Sequence, residues 1–242
     1  MQLYTLRQRA ERDFAGALRE AAEAGYDAIE LAGLHGEAAD SVRRDLDALG
    51  LGAFAAHVPW ERFEADLDGV LAELSALGCE FAVVPSVPGR LHDVAAAADI
   101  AAALNGWAAR CAEASLRFAY HNHAFELELG AREGATLLEL LLSATDPAVV
   151  GFELDAYWAA VAGADPVALL ERHAGRVPLL HVKDLAPDGG DAPVGEGVLV
   201  WPELLAAADR AGVEWLVVEQ DHPRDPAADA ATSFRNLTRF TS

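Results

Sequence analysis

The sequence predicts an α/β protein, a (β/α)8 TIM barrel formed by residues 1–242 as one domain. Three observations predict it. Short apolar runs alternate with amphipathic runs along the whole chain, eight of each, and no linker-like stretch interrupts them. Such alternation makes a parallel sheet with right-handed crossovers, and eight units close naturally into a barrel. The length suits a barrel of about 250 residues, and 52% hydrophobic with 24% charged residues supports a sizeable core. Finally, four of the later apolar runs end on a metal-ligand residue type, at His121, Asp155, His181 and Glu219. An open doubly wound sheet is the rival, but no GxGxxG follows the first strand and no P-loop motif occurs.

In order, residues 2–6 alternate as a short first strand. A helix over 11–24 follows, with Phe14, Leu18, Ala21 and Ala22 on one face and Gly25 as its stop. Strand two (26–31) ends near Glu30, a helix covers 37–49 to Gly50, and strand three (51–57) ends at His57. Phe63, Leu67, Val70, Leu71, Leu74 and Leu77 recur at spacings of three and four, an amphipathic helix closed by Gly78. Strand four (79–85) is almost wholly apolar, as a strand covered on both faces should be. An Ala-rich helix runs over 94–114, then strand five (118–123), a helix around 137–142, and strand six (149–155). Asp165-Pro166 supplies a cap and a first-turn proline for a helix ending at Gly175. Strand seven (177–182), a turn-rich loop (187–197), a helix from Trp201-Pro202, strand eight (214–219) and a helix from Asp225-Pro226 complete the chain.

The ligand types at the strand ends lie 155 − 121 = 34, 181 − 155 = 26 and 219 − 181 = 38 positions apart, about one strand–helix unit each. In a barrel the C-terminal strand ends converge on one mouth, so Glu30, His57, His121, His123, Asp155, His181 and Glu219 would all line it. Imidazoles mixed with carboxylates suit one divalent cation such as Mn²⁺, Co²⁺, Zn²⁺ or Mg²⁺. Singly, a strand-end His or Asp is more often a hydrogen-bonded cap. Four at matching ends read as one metal site.

With 18 Lys and Arg against 39 Asp and Glu, the net charge is −21, which disfavours nucleic acid and anionic membrane surfaces as partners. Cys79 and Cys111, without CxxC spacing, read as two thiols in a reducing compartment. No signal core and no run of about 18 apolar residues occurs, so a soluble cytoplasmic protein is expected.

Five motifs, His-Asn-His-Ala-Phe-Glu (121–126), Phe-Glu-Leu-Asp-Ala-Tyr-Trp (152–158), Leu-Leu-His-Val-Lys-Asp (179–184), Gly-Glu-Gly (195–197) and Val-Val-Glu-Gln-Asp (217–221), together resemble the sugar phosphate isomerase/epimerase family, the xylose isomerase-like barrels. The resemblance covers essentially the whole chain and names no single substrate. It implies metal ligands at Asp155, His181 and Glu219. Many members have Glu at the fourth position, where this chain has His121. Either His121 is the ligand or Glu126 swings in from the loop; His121 is favoured. His123 then resembles the base of lyase-type relatives, its rival role being to orient a ligand.

Lys183 shares the inward face with His181 and suits a substrate oxygen or a developing enolate; its plainer role is a salt bridge to Asp155 or Glu153. Glu153 reads as structural. Glu30 and His57 resemble substrate-facing positions, and Trp158 and Trp60 suit either a sugar wall or packing. The constellation implies removal of a proton beside a carbonyl, by His123 or by Glu126 or Glu153, with the cation and Lys183 stabilising the product anion. The first expectation is an isomerase or epimerase of a ketosugar or related polyol. The alternative is a lyase or dehydratase on a cyclitol or keto-glycoside, toward which the His-Asn-His segment leans. A nuclease on the same barrel would need several metals and a basic surface, against the −21 charge. An inert metal-binding barrel is the remaining alternative. A sugar or cyclitol is the expected small-molecule partner, with a homodimer possible.

Overall fold

A computed structural model describes residues 1–130 and 134–241. Its elements are α1 (Arg7–Ala10), α2 (Phe14–Glu23), β1 (Ala28–Leu31), α3 (Ala39–Leu49), β2 (Gly52–His57), α4 (Trp60–Ala65), α5 (Leu67–Leu77), β3 (Phe81–Val84), α6 (Ala97–Glu113), β4 (Arg117–His121), α7 (Phe125–Glu128), α8 (Leu137–Ala144), β5 (Val150–Asp155), α9 (Ala156–Val161), α10 (Pro166–Arg172), β6 (Leu179–Val182), β7 (Asp184–Leu185), β8 (Asp191–Ala192), α11 (Trp201–Ala211), β9 (Trp215–Val218) and α12 (Pro226–Phe240).

Seven strands form one parallel sheet in the order β1-β2-β3-β4-β5-β6-β9. The expected first strand over 2–6 is not one. Only Gln2 bridges Glu30, and Leu3–Leu6 winds into a 3₁₀ turn that buries Leu3 and Leu6. That bridge still closes the barrel: the Gln2 N–H donates to Val218 O and the Glu30 N–H to Met1 O, each at 2.8 Å. The chain thus builds an eighth staves' worth of pairing from two residues.

Two other expectations shift. The helix read through 63–77 divides at Asp66, whose side chain accepts from Gly69 N and caps α5. The expected loop at 187–197 contains one arm of an antiparallel hairpin, β7–β8. The helix stops hold where the left-handed turn demands glycine, at Gly50 (φ 68°) and Gly78 (φ 76°). Asp13, Thr136, Asp165 and Asp225 cap α2, α8, α10 and α12, Thr136 in a capping box with Glu139.

Two apolar clusters divide the core. The larger lies between sheet and helices. The smaller, Phe54, Ala55, Phe81, Val83, Ala119, Leu179 and Val217, fills the barrel interior. Period-two alternation continues each inward row upward: Val217 to Glu219, Leu179 to His181 and Lys183, Ala119 to His121. On β2 the alternation is reset. Ile29 pairs Ala53 but Glu30 pairs Ala55, so Phe54 is an extra residue. One inserted residue moves every later side chain to the opposite face. The bulge therefore turns Ala55 and His57 inward, beside Glu30.

Candidate metal centre and active-site cavity

Sheet register assembles the site. His121 pairs Glu153, and Asp155 pairs His181, across adjacent parallel strands. The resulting polar layer is buried: Glu30, Glu153, Asp155, His181 and Lys183 are 0% exposed, His121 2% and Glu219 5%.

His181 lies between two carboxylates, Nδ1 at 3.0 Å from Glu219 Oε2 and Nε2 at 2.9 Å from Glu30 Oε2. His121 is held similarly, with Nδ1 3.0 Å from Glu153 Oε2 and Nε2 3.9 Å from Asp155 Oδ2. Asp155 uses Oδ1 to accept from Trp158 N at 2.9 Å, capping α9. Its Oδ2 receives no aligned hydrogen bond and lies 3.8 Å from His181 Nδ1. Asp155, His181 and Glu219 have donor atoms within 4.8 Å of one another, as do His57, His121, Glu153 and His181.

These residues fit a divalent cation. Asp155, His181 and Glu219 form one group of converging donors, and His121 Nε2 stands at its edge, 3.9 Å from Asp155 Oδ2. The other nitrogen of each histidine faces a buried carboxylate, Glu153 or Glu30, the arrangement that fixes tautomer and ring plane in metal-binding histidines. Charge argues the same way. Glu30, Glu153, Asp155 and Glu219 are buried, and Lys183 is the permanent cation among them. Buried charge is tolerated when it is paired or coordinates a metal.

Electrostatics follow this crowding. Burial opposes protonation of His181, but Glu153 and Glu219 hold its pKa well above the usual imidazole value. A cation held by His181 would displace that proton. Burial also opposes Lys183, yet Asp155, Glu219 and Asp221 keep it charged. Its Nζ lies 3.1 Å from Asp155 Oδ2, 2.6 Å from Glu219 Oε2 and 2.7 Å from Asp221 Oδ2. The ammonium thus pairs with three carboxylates and donates its hydrogen bond to Asp221. Burial raises Asp155 to about 6. Burial, then Lys183, pushes His123 down to about 4, so its imidazole is neutral near pH 7.

A cavity of about 320 Å³ opens over the site, lined by Tyr4, Ala32, Gly33, His57, Pro59, Pro85, His121, His123, Glu219 and Asp221. His123 Nδ1 is buried and makes no hydrogen bond. The structure therefore brings His57, His121, His123 and Glu219 to the cavity, with Asp155 and His181 beneath. Glu30 lies below the cavity, against His181 and His57. Trp158 is not in the lining; its ring stands 5.4 Å from that of His123. Glu126 is fully buried, one oxygen taken by Tyr120 OH at 2.6 Å and the other by His123 N–H at 2.8 Å, and it belongs to neither donor group.

Asp221 and Tyr4 were not singled out from sequence. The signal for Asp221 was present, since it follows Glu219 by two and shares its face. Glu153 was read as structural, and its carboxylate orients His121 and contacts His57. Asp184 also carries more than its motif suggests. Its two oxygens accept from Leu185, Gly195, Gly197 and Leu199 N–H and from Trp201 Nε1, tying the Gly-Glu-Gly loop beside the mouth.

A family described as a xylose isomerase-like TIM barrel matches residues 18–239. An inosose dehydratase from Geobacillus kaustophilus is 29% identical over 194 residues, 71% of this chain and 62% of that enzyme. The chain thus spans less than two thirds of that relative's length in the match. The rhizopine catabolism protein MocC of Rhizobium meliloti is 27% identical over 267 residues, 93% of this chain and 81% of that protein. The solved structure of a sugar phosphate isomerase/epimerase from Parabacteroides distasonis superposes with a TM-score of 0.83 at 25% identity, covering 100% of this chain and 94% of that one. Among the described residues, no helix is long and apolar enough to cross a membrane.

Proposed function

The chain belongs to the xylose isomerase-like TIM barrel family, and from that premise we propose that it is a divalent-metal-dependent enzyme acting on a ketosugar or keto-cyclitol. The reaction removes the proton beside the carbonyl and then expels a hydroxyl group from the next carbon, a dehydration. The carrying observation is the imidazole of His123, neutral near pH 7, on the cavity wall beside the Asp155, His181 and Glu219 donors and His121, with both ligand-type histidines backed by a carboxylate.

A cation held by His121, Asp155, His181 and Glu219 would supply Lewis acidity to the substrate's carbonyl and neighbouring hydroxyl. The chain's own groups do the rest. His123, a neutral imidazole lining the cavity, takes the proton. Asp221, raised above the usual carboxylate range by burial and then Glu219, lines the same cavity and in its protonated form gives the departing hydroxyl its proton, while His123 passes the substrate proton to solvent to reset the site. Lys183 keeps Asp155, Glu219 and Asp221 together rather than touching substrate, since its Nζ lies within 3.1 Å of all three carboxylates.

The similarity to inosose dehydratase supports elimination. Epimerisation fits less well, because it needs proton-moving groups on opposite faces of the substrate and both oxygens of Glu126 are occupied. Isomerisation stays as the second reading: a single base can carry a proton between adjacent carbons, and the Parabacteroides likeness favours it.

A panel of keto-cyclitols and ketosugars, incubated with Mn²⁺ and followed by ultraviolet absorbance and proton NMR, tests the assignment. Growth of an enone absorbance with the wild type, absent with His123→Asn, is the expected result. An aldose product without enone would replace dehydration by isomerisation. Full turnover by His123→Asn would remove His123 from the mechanism.

A further inference from the structure

We propose that His57 is a positioning residue: a single imidazole that ties together Glu30 and Glu153, the two carboxylates that orient the metal-binding histidines. The inference rests on the metal site of the preceding section and goes beyond it by giving the expected substrate contact His57 a different task.

The geometry carries it. His57 Nε2 is 2.7 Å from Glu153 Oε2 and 3.4 Å from Glu30 Oε1. Those two carboxylates come from different strands and hydrogen-bond different histidines, Glu153 facing His121 Nδ1 at 3.0 Å and Glu30 facing His181 Nε2 at 2.9 Å, with Glu153 Oε2 a further 3.4 Å contact of His181 Nε2. Each is wholly buried, and Glu30 Oε1 and Glu153 Oε1 make no hydrogen bond at all. An anion with a vacant oxygen in so dry a place turns toward whatever donor is nearest. For Glu30 Oε1 that group is His57 Nε2 at 3.4 Å, the same nitrogen that is hydrogen-bonded to Glu153 Oε2.

Its ring is locked as well. It stacks on His181 with centroids 5.4 Å apart and planes 2° from parallel, and it lies 5.0 Å from His121. The β2 bulge at Phe54 adds a reason to see design, because without that extra residue His57 would face the helices. His57 does line the cavity, but its Nε2 points down to the carboxylates, not out to a ligand. A carboxylate behind a metal-bound histidine typically governs affinity by about 10–100-fold. One residue holding two such carboxylates should show that whole effect.

The test uses the full chain, Mn²⁺ alone as probe, and the variants His57→Gln and His57→Leu. Glutamine keeps an N–H donor near the Nε2 position; leucine keeps bulk and loses the donor. Circular dichroism and melting first establish that both variants fold. The expected result is Mn²⁺ affinity within about threefold of wild type for His57→Gln and weaker by about 10–100-fold for His57→Leu, at unchanged stoichiometry. In the metal-free chain, ¹⁵N resonances of His121 and His181 should move in His57→Leu and stay in His57→Gln.

Unchanged Mn²⁺ affinity in His57→Leu, with KM raised, would overturn the proposal and make His57 a substrate contact. Two ions per wild-type chain, falling to one in His57→Leu, would also overturn it, since His57 would then be a ligand. A wild type that takes up no Mn²⁺ would instead sink the metal reading of the preceding section. The imidazole resonances still decide on His57 in that case, and resonances indifferent to both variants would end the proposal.

Discussion

Asp155 performs two tasks with two oxygens, and a pair of substitutions separates them. Oδ1 accepts from Trp158 N at 2.9 Å and caps α9, while Oδ2 faces His121 Nε2 at 3.9 Å, His181 Nδ1 at 3.8 Å and Lys183 Nζ at 3.1 Å. Asp155→Asn retains a cap acceptor and loses the charged donor; Asp155→Ala loses both. Loss of a helix cap costs about 1 kcal/mol. In a chain of 242 residues that corresponds to a melting shift of about 2–4 °C. Lys183 retains Glu219 and Asp221 in either variant, so its pairing does not separate them.

The metal-free alanine variant should therefore melt about 2–4 °C below the asparagine variant. Both should bind Mn²⁺ at least about 100-fold more weakly than wild type, which is about 2.8 kcal/mol at 1.4 kcal/mol per tenfold. Calorimetric titration and thermal melts read the two quantities independently. Equal melting temperatures would refute the division of labour between the oxygens. Near wild-type Mn²⁺ affinity in both would refute Asp155 as a ligand.

Two further outcomes follow from the same layer. Lys183→Met strands buried Asp155 and Glu219 without their cation, a loss of about 3–5 kcal/mol; added Mn²⁺ should restore more of the melting temperature in this variant than in wild type, and no destabilisation would show that Lys183 is not the clamp. Glu126 is raised by burial from 4.5 to about 8, so the folded chain keeps a proton that the unfolded chain releases. That contribution to stability is full below about 4.5 and is lost as pH rises through about 8; urea unfolding from pH 5 to 9 should show the slope in wild type and a flatter one in Glu126→Gln, and identical slopes would contradict it.

The inward row of ligand types was legible because each follows an apolar run at period two, and burial on a strand forces that alternation. The rows ending at Asp155, His181 and Glu219 needed only counting. Others hid for physical reasons. Residues 2–6 read as an alternating strand in sequence, yet Leu3 and Leu6 at a spacing of three serve a 3₁₀ turn as well, and backbone bonds at residues 1 and 2 suffice to bridge β1 and β9. The inward turn of His57 depends on a bulge that pairs Glu30 with Ala55, and no residue type at Phe54 signals an unpaired position. Glu126 seemed free to swing because its loop position was visible and its partners, Tyr120 OH and His123 N–H, were not. Glu153 and Glu30 read as a structural acid and a substrate contact because carboxylates that hold histidines appear only once the strands are side by side.

Under the proposed function the site removes a proton next to a carbonyl in a metal-dependent step, with His123 as the group that moves it. Solvent exchange tests it most directly: keto-cyclitols and ketosugars in D₂O, with chelator or with Mn²⁺, wild type against His123→Asn. Deuterium should enter the carbon beside the carbonyl with Mn²⁺ and the wild type only. Exchange that persists in chelator, or that His123→Asn performs equally well, would contradict it.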